Sequence, residues 1–261
     1  MARTAPSRDR SRLLYKAAYA LRRPGRVPRY ARRSLRDAML RARYGRDHVA
    51  YYRAVMASDS ERSAESAVGG PTSSREAWLR IGKWQYEYLL AHGLKPADRL
   101  LEIGCGNLRA GWRLMRYLEP GHYYGIDISP HILLSAKDTV VRYGLQDRLP
   151  HLTLTDNLSF DFLPADHFTV IHAHSVFSHT PLEVIEECFE HVGRILAPGG
   201  FFDLTFDRTE GREHHVLRED FYYRTETLAA LAARHGLSAE LMADWEAMPH
   251  GQSKLRIRAD R

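Results

Sequence analysis

With 261 residues and 44 % hydrophobic content, the chain can form one sizeable domain plus an appendage. No apolar run reaches the roughly 18 residues that span a bilayer, and no leader with a continuous apolar stretch and a small-residue cleavage site is visible. Residues 1–50 hold 14 arginines and one lysine against three aspartates, a surplus of twelve; the remainder, with 23 basic and 29 acidic residues, is six short, so the overall +6 averages a basic arm over a mildly acidic body.

The arm comes first. Leu13, Leu14, Ala17, Ala18 and Leu21 share one helical face, ringed by Arg12, Lys16, Arg22 and Arg23 and stopped by Pro24-Gly25. A second basic helix is expected over Arg29–Tyr44. Ser58–Ser74, rich in Ser, Gly and Pro, reads as a linker. The expected division is thus a basic helical arm at 1–57, a linker at 58–74 and a folded domain at 75–261.

From Ser73 the signals alternate between helix and strand. Ser73 and Glu76 form a capping box for a helix ending at Gly93. Strands follow at 99–103, 122–126, 152–155, 168–172 and 201–206. The helices between them cover 108–118, the stretch from Ser129-Pro130 to Gly144, and the stretch from Thr180-Pro181 to Pro198-Gly199-Gly200. In that last helix Thr180 and Glu183 make a second capping box, and Ile185, Cys188, Phe189, Val192, Ile195 and Leu196 repeat at helical spacing. A helix at 227–235 and strands near 240–243 and 254–258 close the chain. Alternation of this kind predicts a doubly wound α/β fold with a mostly parallel seven-stranded sheet, its last two strands an edge pair. Ligands bind such sheets beyond the carboxyl ends of the strands.

The loop after the first strand reads Leu101-Glu102-Ile103-Gly104-Cys105-Gly106-Asn107. Its glycines allow a sharp turn and a close ligand approach. Arg109 stands where the dinucleotide fingerprint has its third glycine, which argues against NAD. Glu102 would repel a pyrophosphate but suits a ligand with an ammonium group. Asp127 ends the second strand, 21 residues after Gly106, where a carboxylate can accept both ribose hydroxyls. Together these features ask for a phosphate-free nucleoside with a cationic end.

At these residues the chain resembles the class I S-adenosylmethionine (SAM)-dependent methyltransferases. LLEIGCGN is similar to their first motif and YGIDIS to their ribose motif, and the resemblance, which includes the LAPGG turn at 196–200, runs from about Trp78 to the C-terminus. It implies a Rossmann-like methyltransferase fold with SAM as cofactor. Gly104, Cys105 and Gly106 would hold the methionine part with Glu102 nearby. Asp127, with Ile128 beside it, would hold the ribose, and Asp156 with Asn157 the adenine amine. The chain departs from the pattern at Leu108, where many members have a further glycine.

Methyl transfer from a sulfonium is an in-line displacement, so the protein mainly positions the reactants, and a base helps when the acceptor is a hydroxyl. The loop after the fourth strand carries His172, His174 and His179. Asp207, Glu210, His214 and His215 follow the fifth strand. His174 or His215 is the expected base, and His179 is the third candidate catalytic histidine. His172, His174, His179, Asp207 and His215 could ligate a metal, but without a tight ligand motif none is expected. The arm, the helix around Trp78–Tyr88 and Phe221-Tyr222-Tyr223 are expected to wall the acceptor.

The expected function is transfer of a methyl group to a small-molecule or glycan-like acceptor at oxygen. The alternatives are an RNA or protein methyltransferase using the arm, and a non-catalytic SAM-binding domain. No Asn-Pro-Pro-Tyr-type motif is present, which argues against amino-base methylation. Two cysteines, Cys105 and Cys188, without a CxxC pair fit a reducing cytoplasm. The arm's Leu/Ala face suits a peripheral contact with a membrane or other anionic surface.

Overall fold

The computed structural model describes residues 27–60, 74–246 and 251–259. The leucine–alanine pattern at 13–21 lies outside them. The chain divides into two compact units, Met1–Arg46 and Asp47–Arg261. The described part of the first unit is helix α1, Val27–Tyr44.

The second unit opens with helix α2, His48–Ser60, whose last turn takes up the start of the expected linker. Helix α3, Arg75–Ala91, is capped by Ser74, whose hydroxyl accepts from the Ala77 amide, rather than by Ser73. Glu76 then falls one position short of the site a capping box needs. The alternation that follows is β1 (Leu100–Ile103), α4 (Gly111–Tyr117), β2 (Tyr123–Asp127), α5 (Pro130–Arg142), β3 (His151–Leu154), β4 (Phe168–Ala173), α6 (Leu182–Ile195) and β5 (Leu196–Arg208). A hairpin of β6 (His214–Val216) and β7 (Asp220–Tyr223) comes next, then α7 (Thr225–Arg234), β8 (Leu237–Leu241), α8 (Ala243–Glu246) and β9 (Ser253–Ala259).

The strands run β3-β2-β1-β4-β5, all parallel, and β9 joins β5 antiparallel with β8 outside it. This is the expected seven-stranded sheet with its edge pair. Among the described residues nine strands are present, however, because β7 adds to the far end of β5 at Asp207↔Tyr222 and pairs with β6. The second expected capping box does not form: α6 starts at Leu182 with Pro181 as its cap, and Pro181 offers no side-chain acceptor. In the LAPGG turn, a Cβ on Gly200 would lie 2.9–3.0 Å from the carbonyl oxygens of Ala197, Thr169 and Phe168, so only glycine lets β5 enter beside β4.

Each face of the sheet carries a helical layer. Leu101, Ile103, Ile126 and Ile171 pack with Ile185, Phe189 and Val192 of α6 and Leu228 of α7. Each such fully buried side chain contributes roughly 1.5–3 kcal/mol. Leu100, Tyr123 and Val170 pack with Leu89 of α3, Leu114 of α4 and Leu133 of α5 on the other face. Strand alternation turns Glu102 toward the α3 layer. There Glu102, His172, Asp203 and Arg256 stand side by side in register, a buried polar row across four strands.

Candidate active site

Two corners meet at the carboxyl edge of the sheet. The first is the turn after β1. Gly104 and Gly106 are left-handed, with φ of 66° and 56°, and so is Leu108 at 65°. Leu108 thus keeps the conformation that a glycine would adopt freely, at a cost of roughly 1–2 kcal/mol. Its side chain is fully buried, which offsets that cost. Consequently the expected helix from 108 starts only at Gly111. A Cβ on Gly104 would lie 2.4 Å from Val176 Cγ2, so the turn is pressed against the loop after β4. Cys105 is buried over Gly125, where an added Cβ would lie 3.0 Å from its sulfur, and burial raises its thiol pKa. Trp78 Nε1 donates to Asn107 Oδ1 at 2.8 Å and ties the turn to α3.

Glu102 sits beneath this turn. It accepts from the Tyr123 hydroxyl at 2.5 Å, and a Cβ on Gly111 would lie 3.0 Å from its Oε2. Burial pushes its pKa up to about 7, against the Tyr123 hydrogen bond and the charge of Arg109. Asp127 ends β2 with 8 % of its surface exposed. Its Oδ2 accepts from the Gly106 amide at 3.0 Å and its Oδ1 from the Ser129 amide at 2.8 Å. Burial raises its pKa while these amides pull it back. The structure therefore brings the glycine turn and Asp127 together, as expected.

Beyond β3, Asp156 is exposed, and Asn157 is engaged locally with Asp156 and Ser159. Arg53 of α2 reaches this rim, donating from Nε to the Ile128 carbonyl at 2.6 Å and from a terminal nitrogen to the Thr155 carbonyl at 3.2 Å.

The second corner lies above β4, β5 and β7. His179 Nδ1 donates to the Glu219 carbonyl at 2.6 Å and lies 3.5 Å from Asp220 Oδ1. That bond puts the lone pair on Nε2, which has no hydrogen-bond partner among the described residues. Burial alone would lower the pKa of His179. The hydrogen bonds to Asp220 and Glu219, with the charges of Asp220 and Asp207, outweigh it and hold the pKa above the ordinary imidazole value. Tyr52 of α2 stacks on the ring at 5.7 Å, and His48 Nε2 donates to the His179 carbonyl at 2.9 Å. Gln252 knits the floor: its Oε1 accepts from Ser175 and Thr205, and its Nε2 donates to Ser178.

The other candidate histidines lie elsewhere. His172 is fully buried under α3, with Nε2 3.1 Å from Gln85 Oε1, and burial holds its pKa well below the usual value. His174 packs between His172 and Trp245. Lys254 lies against Trp245 and Tyr88, and burial lowers its pKa to about 8. His215 is exposed on β6 and bonded to the Leu217 carbonyl. Phe221, Tyr222 and Tyr223 form β7, and Phe221 meets His48 edge-on. Among the described residues, no three of His, Cys, Asp and Glu gather to hold a metal ion.

Residues 101–202, from β1 into β5, match a family described as "Methyltransferase domain". Over those residues the chain is similar to that methyltransferase family. A curated relative, the tRNA U34 carboxymethyltransferase of Pseudomonas fluorescens, is 29 % identical over 148 residues, which cover 53 % of this chain and 42 % of that protein. The chain thus spans under half of that relative. The domain's fold recurs in magnesium protoporphyrin IX methyltransferase from Synechocystis, solved with bound SAH (TM-score 0.60, 14 % identity, covering 82 % of this chain and 100 % of that one). It recurs in the DhpI–SAH complex (0.56, 18 %, covering 82 % and 97 %) and in the cyclase SpnF (0.57, 17 %, covering 77 % and 93 %). At these identities the likeness is one of fold, and a cyclase among the neighbours shows that this fold also hosts other chemistry.

Sequence reasoning about the methyltransferase domain missed Arg53, Tyr52, Asp220 and Gln252. Only Tyr52 and Arg53 carried a hint, as part of an arm expected to wall the acceptor. Gln252 lay between the two last expected strands, in a stretch given no role.

Proposed function

We propose that the chain is a SAM-dependent methyltransferase that methylates a hydroxyl oxygen of a small-molecule or glycan-like acceptor, with His179 as the base. The donor set at the first corner fits SAM. Asp127 is a buried carboxylate at the end of β2 whose oxygens accept from the amides of Gly106 and Ser129, and a carboxylate's further lone pairs leave acceptor capacity for a ribose hydroxyl. Carboxylates at Glu102 and Asp127 suit a cationic, phosphate-free nucleoside and disfavour a pyrophosphate. When bound, SAM supplies a methyl group on a positively charged sulfur, already activated for displacement.

The backbone of Gly104, Cys105 and Gly106 would hold the methionine part. Asp127 with Ile128 would grip the ribose. Asp156 would meet the adenine amine, and Asn157 would shape that turn, since its side chain is already engaged. Glu102 braces the turn from below through Tyr123. Holding the acceptor in line contributes on the order of 7–11 kcal/mol. At the second corner His179 Nε2 would take the acceptor hydroxyl's proton as oxygen attacks, worth roughly 10²–10⁴-fold. Residues 75–261 form the catalytic domain in this reading, and α2 joins them as a strap carrying Arg53, Tyr52 and His48.

One observation carries the choice of base: the Glu219 carbonyl locks the His179 tautomer, beside Asp220. His174 is packed against aromatic rings and His215 is tied to its own turn. Calorimetric titration with SAM and SAH, followed by a methyl-release screen over hydroxylated acceptors, tests the proposal. Micromolar SAM binding and release with a hydroxylated acceptor are expected; no binding at millimolar SAM would overturn it. The tRNA-modifying relative and the arginine surplus favour a second reading, in which RNA is the acceptor, and tRNA in the same screen decides between them.

A further inference from the structure

Helix α1 carries an exposed apolar stripe. Its 18 residues hold six arginines against one aspartate. Ala31, Leu35, Ala38, Met39 and Ala42 follow i, i+4, i+7, i+8 and i+11, so they form one stripe along the helix. That stripe is the exposed side: Leu35 is 63 % and Met39 58 % exposed, and the three alanines are exposed with them. Arg32 and Arg43, also exposed, border the stripe beside Met39, while Asp37, which pairs with Arg41 at 3.7 Å, is buried. A soluble helix normally shows the reverse arrangement.

We propose that this face of α1 docks onto an anionic phospholipid bilayer, lying in the interface with Leu35 and Met39 in the acyl boundary and arginines at the headgroups. Charge complementarity selects the occupant. Each arginine near an anionic leaflet strengthens binding about fivefold, and residues 1–50 carry a surplus of twelve positive charges. An RNA site would centre its arginines on the exposed face. Here that face is centred on apolar side chains, with exposed Arg32 and Arg43 along one border and exposed Arg41 along the other, as in an interfacial helix. No described helix is long and apolar enough to cross a membrane, so the contact is one of lying on the surface.

The test is co-sedimentation of the full chain with phosphatidylcholine vesicles, with and without 30 % (about one lipid in three) phosphatidylglycerol, at low and high salt. Binding to the anionic vesicles only, weakening as salt screens it, is expected. A Leu35→Gln/Met39→Gln variant should lose about tenfold in vesicle affinity while its SAM binding and melting temperature stay unchanged, because both side chains are exposed. Arg32→Gln/Arg43→Gln gives an independent variant and should reduce the salt dependence. Absence of vesicle binding, or binding indifferent to both variants, overturns the proposal. So does tighter binding to RNA than to vesicles, or self-association that the Leu35/Met39 variant abolishes. SAM titration is read separately, so failure here leaves the enzymatic proposal untouched.

Discussion

The two corners of the carboxyl edge are built in different ways. Around Asp127 the working parts are mostly backbone: a left-handed turn, the amides of Gly106 and Ser129, and one carboxylate that both amides address. Around His179 they are side chains gathered from distant parts of the chain. His48 is 131 positions away from His179, and Gln252 is 74 from Ser178. A backbone site is rigid and binds one ligand class, whereas a side-chain site can be rebuilt residue by residue. The first arrangement suits a constant cofactor and the second a family of changing acceptors.

Four experiments can break or sharpen this contrast. The largest effect is expected from His179→Ala, which should lower kcat by about 10²–10⁴-fold with SAM affinity changed less than about twofold. In the parent, kcat/KM should rise with pH through an apparent pKa above that of free imidazole, because only neutral His179 accepts a proton. The variant should lose that inflection. An equal loss of SAM affinity would mean that the corners are not separable.

Asp127→Asn comes next. It replaces a charge-assisted acceptor of two amides and, in the proposed complex, of the ribose. SAM should bind about 10–100-fold more weakly by calorimetry, with no change in the pH profile of residual turnover.

Arg53→Ala removes two hydrogen bonds from α2 to the cofactor rim. These bonds lie at a part-buried surface, so about a fivefold loss of SAM affinity is expected. A larger loss would make α2 part of the cofactor site itself.

Smallest is the stability effect of Glu102→Gln. The raised pKa means that the folded state holds its proton to about pH 7 while the unfolded chain releases it near 4.5. The protonated carboxyl therefore contributes stability that is fully present below about 4.5 and lost as pH rises through about 7. Thermal melts between these limits should show a downward slope with pH, and the Gln variant should flatten it.

The same contrast explains what could be read from the sequence. The first corner is local: a strand, two glycines and a carboxylate 21 residues later spell out the geometry in order. The sheet was legible for a similar reason, since each strand–helix unit advertises its period. Ser73 and Thr180 misled because a capping pattern does not fix where the first turn begins. Ser74 is an equally good cap one residue on, and Pro181 displaces the start of α6 to Leu182. The short strands β6 and β7, joined directly to each other, interrupt the strand–helix alternation that revealed the equally short β1 and β3. Asp220 was hidden for that reason. Among several loop histidines, only the carbonyl of Glu219 singles out His179, and a backbone carbonyl leaves no mark in a sequence.

The β6–β7 hairpin hangs from the last two residues of β5 and touches none of the strands that carry the glycine turn. Its Glu219 carbonyl and Asp220 carboxylate still hold His179, so it can be exchanged only outside those two positions. Varying the other positions between Arg208 and Thr225, with Glu219 and Asp220 kept, is expected to alter which acceptors are taken while the glycine turn keeps its shape, which makes this short excursion the natural place for laboratory evolution to begin.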